Sequence, residues 1–135
     1  MPTLAGPFIP VLRVSDGRAS ADWYSRVLCL TEISHHSDAA GPLRQVVLAE
    51  PRTGLTLCLI SPDAGATDPF DERLLGLDHL EFVVSTFDEL ASWVEHLDAQ
   101  LVPHSGINAP DYSRAAMVSF RDKDNIQLEL FCPER

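Results

Sequence analysis

The chain repeats itself at an interval of about seventy residues, and this interval restricts the fold more than any other feature of its 135 residues. Gly6, Ile9, Val14, Ser15, Trp23 and Arg44 return as Gly76, His79, Val84, Ser85, Trp93 and Arg114, each displaced by 70. A displacement of 71 then sets Cys58 against Glu129. Self-similarity at a fixed period points to similar supersecondary units built one after the other. The two copies differ where chemistry would sit: the second offers His79 and Glu129, the first Ile9 and Cys58.

Each copy reads as β-α-β-β-β. In the first, Phe8 to Val14 is a short apolar run after Gly6 and Pro7, with Pro10 suited to an edge strand. Ala19 to Cys29 has helical spacing, with Asp16 or Ser20 available as a cap. Strands are expected at about Thr31 to His36, Leu43 to Ala49 and Leu55 to Ile60, separated by turn residues. In the second copy, Leu77 to Ser85 reads as a strand, and Thr86 with Glu89 is a capping-box signature before a helix. Leu101 to His104, Tyr112 to Arg121 and Ile126 to Phe131 complete it, with Asn125 tolerating positive φ in the last turn. The expectation is one α+β domain over residues 1–135: module 1 (6–60), a linker rich in Pro, Gly and Asp (61–76), and module 2 (77–132).

Strand alternation assigns the faces. Leu12, Val14, Leu57 and Leu59 of module 1 should pack on its helix, as should Leu80, Phe82, Val84, Leu128 and Leu130 of module 2. The opposite, mixed faces carry Ile9, Val11, Arg13 and Cys58 in one module, and His79, Glu81, Val83, Gln127, Glu129 and Phe131 in the other. Turned toward a common concavity, these faces would line a ligand pocket, with Tyr112 and Arg114 placed to gate it or hold an anion. His35, His36 and His104 fall at strand ends, and Trp23 and Trp93 at helical positions suited to packing.

Composition narrows the function. A formal net charge of −10 repels phosphate backbones, so nucleic acid is not an expected partner. Three cysteines without CxxC spacing, no apolar run of membrane length and no signal-peptide pattern give the expectation of a cytoplasmic protein without disulfides or a membrane span.

Several motifs together carry a family resemblance. Leu12-Arg13-Val14-Ser15-Asp16 runs into Trp23-Tyr24, and Leu77-Asp78-His79 precedes Glu81. Pro103-His104-Ser105-Gly106 follows, and the chain closes on Ser119 to Phe131. In these features it resembles the vicinal oxygen chelate superfamily, the glyoxalase, bleomycin-resistance and extradiol-dioxygenase group, over nearly its whole length outside the linker. Asn125-Ile126 departs from the Gly-Asn common in that group. The resemblance implies tandem βαβββ modules forming an incomplete barrel or cup, a homodimer, and a metal position fed by Ile9, Cys58, His79 and Glu129.

That ligand set is incomplete. His79 and Glu129 suit a divalent ion such as Fe, Ni, Zn or Mn, but Ile9 cannot bind one and Cys58 favours soft ions. Without an ion, His79 would pair with Glu129, which would raise its pKa, and Cys58 would be a small buried hydrophobe. Two functions follow. One is a metal-free small-molecule binder of the resistance type, and the absent ligand at Ile9 favours it. The other is a metal-dependent lyase or dioxygenase, with His79 and Glu129 as ligands, Glu129 at the catalytic centre and Glu81 available as a base.

Overall fold

A computed structural model describes residues 1–62 and 68–135. The chain divides into two compact units, Met1–Thr67 and Asp68–Arg135. The stretch of the expected linker at 63–67 lies outside the described residues.

Unit 1 holds β1 (Val11–Arg13), α1 (Gly17–Val27), β2 (Thr31–Ser37), β3 (Leu43–Glu50) and β4 (Leu55–Ile60). Its sheet runs β1-β4-β3-β2, with β1 parallel to β4 and the other pairs antiparallel. β1 is an edge strand, and Pro10 just before it offers its carbonyl to the Cys58 N–H, so the missing proline donor costs the sheet nothing. Asp16 caps α1, its side chain accepting from the Ala19 N–H at 3.0 Å. Leu12, Val14, Leu57 and Leu59 are buried on the faces that alternation assigned, together with Val46 and Leu48 of β3 and Tyr24 and Val27 of α1.

Unit 2 holds β5 (Leu80–Val83), α2 (Phe87–Ala99), β6 (Ala116–Arg121) and β7 (Gln127–Cys132) in the order β5-β7-β6. β5 runs parallel to β7, and β6 antiparallel to it. The central strand contributes Leu128 and Leu130 to a core with Leu90 and Leu97 of α2 and Val118 of β6. Thr86 and Glu89 form the full capping box: Thr86 Oγ1 accepts from the Glu89 N–H at 3.1 Å, and Glu89 accepts from the Thr86 N–H at 3.2 Å. Removing the hydroxyl in Thr86→Ala is expected to cost about 1 kcal/mol. A denaturant titration measures it, and an unchanged midpoint would show that the cap adds nothing.

Two expectations from sequence are corrected in unit 2. The expected strand at Leu101 to His104 shortens to an isolated bridge between His104 and Phe120. Pro103 has no N–H to donate, and Gly106 turns the chain away with φ 73°. The strand expected from Tyr112 begins only at Ala116, so Tyr112 and Arg114 lie outside the sheet. Residues 68–76 of the expected linker fall within unit 2. Phe70 bonds Asp124 and Asn125, and Glu72 takes a bidentate pair from Arg121 at 2.6 and 3.1 Å. Arg121 holds the Glu72 carboxyl down at about 2.

The β6–β7 turn fixes the register on which the site depends. Asp122 Oδ1 accepts from the N–H groups of Asp124 and Ile126 at 2.9 and 2.8 Å, and Asn125 adopts φ 67°. This closure aligns Ser119 with Glu129. No helix among the described residues is long and apolar enough to cross a membrane.

Candidate metal centre

Register and alternation together build the site. Glu81 of β5, Glu129 of β7 and Ser119 of β6 lie side by side across three strands, because each pair is in direct register. All three belong to the face opposite α2. His79 precedes β5 by one residue and so shares the face of Glu81. One ligand atom from each of His79, Glu81 and Glu129 lies within 4.8 Å of the others.

The hydrogen bonds give this cluster direction. Asp78 Oδ1 sits 2.6 Å from His79 Nδ1, which leaves Nε2 facing Glu81 Oε2 at 3.6 Å. Ser119 Oγ donates to Glu129 Oε2 at 3.0 Å, fixing one carboxylate oxygen and leaving the other available. The direct His79–Glu129 bond expected from sequence is not the arrangement observed. Asp78 takes that role, and Glu129 acts on His79 through its charge. Asp78 most strongly, then Glu81 and Glu129, hold the imidazole above its ordinary range of 6.5, against the opposing effect of burial.

This donor set fits a divalent cation. One imidazole and two carboxylates offer borderline and hard donors together, which suits Mn²⁺ or Fe²⁺ better than an ion seeking thiolates. A carboxylate on the far ring nitrogen is the usual outer partner of a ligating histidine, because it fixes tautomer and ring plane. Donors about 2.1 Å from an ion stand about 3 Å apart at right angles, so rotation of the glutamate side chains would have to close the observed spread.

The raised His79 pKa has opposite consequences with and without an ion. Protonated His79 contributes stability that is fully present below its unfolded value and is lost as pH rises through the folded one. The metal-free protein should therefore lose this increment across the neutral range. A ligating imidazole must be neutral, so ion affinity should rise over the same range. Denaturant midpoints between about pH 6 and pH 8.5, with and without Mn²⁺, measure both slopes against the His79→Ala variant. Identical profiles for the two proteins would remove His79 from the account.

The remaining expected pocket residues are distributed as follows. Ile9, Val11 and Arg13 are exposed in unit 1, and Cys58 is buried beside Val11 and Val47 with Gln45 Nε2 3.2 Å from its sulfur. Val83 is exposed, while Gln127 and Phe131 are half-buried in unit 2. Tyr112 and Arg114 point to solvent, Arg114 lying 3.9 Å from Glu134. They do not line the pocket of about 530 Å³ in unit 2, which is bounded by Pro103, His104, Ser119, Phe120, Arg121, Asp122 and Gln127. Of these, the sequence identified Gln127 as a pocket residue. His104 Nε2 lies 3.0 Å from Asp98 Oδ1, and its Nδ1 accepts from the Gly106 N–H at 3.0 Å.

A family profile described as Glyoxalase/Bleomycin resistance protein/Dioxygenase superfamily matches residues 8–130. The chain belongs to this superfamily. Among solved structures, it is similar to a glyoxylase/bleomycin resistance protein/dioxygenase domain from Frankia sp. EAN1pec. That similarity is 30% identity with a TM-score of 0.82, over 98% of this chain and 95% of that one. The fosfomycin resistance protein FosX from Listeria monocytogenes shares the fold at 18% identity and a TM-score of 0.71, covering 96% and 94% of the two chains. FosX was also solved with Mn(II) and sulfate; that structure matches at 20% identity and a TM-score of 0.69, over 96% and 93%. No curated protein sequence matches. The mixed sheets of both units fit the α+β architecture of the superfamily, and neither is closed.

Proposed function

We propose that this superfamily member binds one divalent cation, Mn²⁺ or Fe²⁺, through His79, Glu81 and Glu129, and uses it to hold a small oxygen-bearing ligand. The observation that carries this reading is the orientation of His79. Asp78 occupies Nδ1, and Nε2 faces the carboxylate of Glu81 beside Glu129. Glu81 then supplies the third protein donor that Ile9 cannot, and its role is ligation rather than base chemistry. When bound, the cation would polarise the ligand's oxygens as a Lewis acid. Ser119 holds Glu129 in place, and Asp78 holds the imidazole in its ligating tautomer. The Mn(II) complex of FosX supports the choice of ion, since a chain of the same fold was solved with it. A cup-shaped ligand pocket, a homodimer and a cytoplasmic location belong to this proposal as the setting of the site.

A second reading, metal-free ligand binding, draws on a specific observation as well. His79 already has carboxylate partners in Asp78 and Glu81, and unit 1 presents Ile9 and Cys58 at the corresponding positions. Calorimetric titration of chelator-treated protein with Mn²⁺ separates the two. The metal reading expects one ion per chain, bound about ten- to a hundredfold more weakly in Asp78→Asn, whose side chain orients the ring less firmly. No saturable binding would leave the metal-free reading standing.

A further inference from the structure

A chain of hydrogen bonds decides which polar groups stay open in the pocket of about 530 Å³ in unit 2. Arg121 commits its terminal N–H groups within the protein. Its Nη1 donates to Glu72 Oε2 at 3.1 Å and to the Asn125 carbonyl at 3.0 Å. Its Nη2 donates to Glu72 Oε1 at 2.6 Å and to Gln127 Oε1 at 3.1 Å. A guanidinium can only donate, so the oxygen of the Gln127 amide must face it and the nitrogen must face away. Gln127 is half-buried and lines the pocket, and no group among the described residues accepts from its Nε2. Other polar groups of the lining are occupied. His104 meets the Gly106 N–H at Nδ1 and Asp98 at Nε2, and Ser119 Oγ donates to Glu129.

Glu72 sets the charge of this wall. Its bidentate pair with Arg121 means that the guanidinium meets the pocket already neutralised. Asp122 lines the same pocket, its Oδ1 accepting from the N–H groups of Asp124 and Ile126. Glu129 lies two residues along β7 from Gln127 on the same face, about 7 Å away. An anion entering the pocket therefore meets carboxylates and a cation that is already paired. A cationic donor finds no open acceptor at Gln127. The open amide fits a neutral acceptor, and the guanidinium on its oxygen strengthens the N–H groups as donors.

We infer that this pocket binds an uncharged carbonyl compound (a ketone, ester or amide) whose oxygen accepts from Gln127 Nε2. Glu72 determines the preference for neutral over anionic ligands, and it acts through Arg121. The pocket makes no use of the cation proposed above, so the two readings stand or fall separately.

Cyclohexanone and cyclohexanecarboxylate carry the same ring and test this on chelator-treated protein. Proton–nitrogen correlation NMR reads the Gln127 side-chain amide directly, its signals assigned by their loss in Gln127→Met. Cyclohexanone should move these signals saturably. It should bind at least about fivefold more tightly than the carboxylate, which would bring an unpaired charge into the pocket. In Gln127→Met, which keeps the bulk and removes the donor, cyclohexanone should bind about three- to tenfold more weakly. Glu72→Gln leaves an acceptor for Arg121 but unmasks its charge, so the carboxylate should bind at least about fivefold more tightly than it does to the native chain. The backbone signals of both variants report that they fold. Absence of saturable cyclohexanone binding, or binding that leaves the Gln127 amide unmoved, would overturn the inference. So would equal affinities for the two probes in the native chain, or an unchanged carboxylate affinity in Glu72→Gln. A separate titration with Mn²⁺ reports on the cation centre alone.

Discussion

His79→Ala should weaken Mn²⁺ binding at least about a hundredfold and abolish any thermal stabilisation by the ion. Losing an outer-shell partner of a ligating histidine costs about ten- to a hundredfold, so losing the ligand itself costs no less. The neighbouring groups cannot compensate. Glu81 and Glu129 would remain adjacent without the imidazole between them and the Asp78 carboxylate. Stabilisation by a ligand grows as the logarithm of its concentration over its dissociation constant, so the shift in unfolding midpoint reports the same loss. His79 is half-buried with its side chain 29% exposed, so the substitution leaves no large cavity and the metal-free variant should fold. Retention of full Mn²⁺ affinity would exclude His79 as a ligand.

Leu128→Ala should lower stability by about 3 kcal/mol, a large share of what a domain of this size possesses. Leu128 is fully buried on the central strand of unit 2, in register with Leu80 on one side and Phe120 on the other. The α2 core is small, and its truncation leaves a cavity that the three-stranded sheet closes only in part. The same strand sets Gln127 and Glu129 on the opposite face, so the substitution should also weaken Mn²⁺ binding without touching a ligand. Denaturant unfolding followed by far-UV circular dichroism measures the first effect. A loss below about 1 kcal/mol would show that the core tolerates collapse around the missing side chain.

The parts of this protein that were legible in the sequence are those governed by period and by local chemistry. Alternation placed Leu57 and Leu59, and Leu128 and Leu130, on the helix-facing sides because a two-residue period has only two outcomes. The Thr86–Glu89 box and the positive φ of Asn125 follow from side-chain chemistry within a few residues. Alternation also put Glu81 on the face of His79. What it could not supply was the register across β5, β7 and β6 that brings Glu81, Glu129 and Ser119 into one row. Asp78 was missed for a different reason: its contact with His79 is between neighbours in sequence, and strand alternation would point them apart. Both residues precede β5. Tyr112 and Arg114 were misplaced because an apparently continuous strand pattern gave no sign that pairing begins only at Ala116.

In the proposed centre His79 ligates through one nitrogen while two carboxylates share the ion. Pulsed electron paramagnetic resonance of the Mn²⁺-loaded protein reads this ligand set directly, through the nuclear modulation of coordinated nitrogen. A single imidazole nitrogen coupled to the ion is expected, lost in His79→Ala and retained in Asp78→Asn. A spectrum without nitrogen coupling, or with two coupled imidazoles, would contradict it.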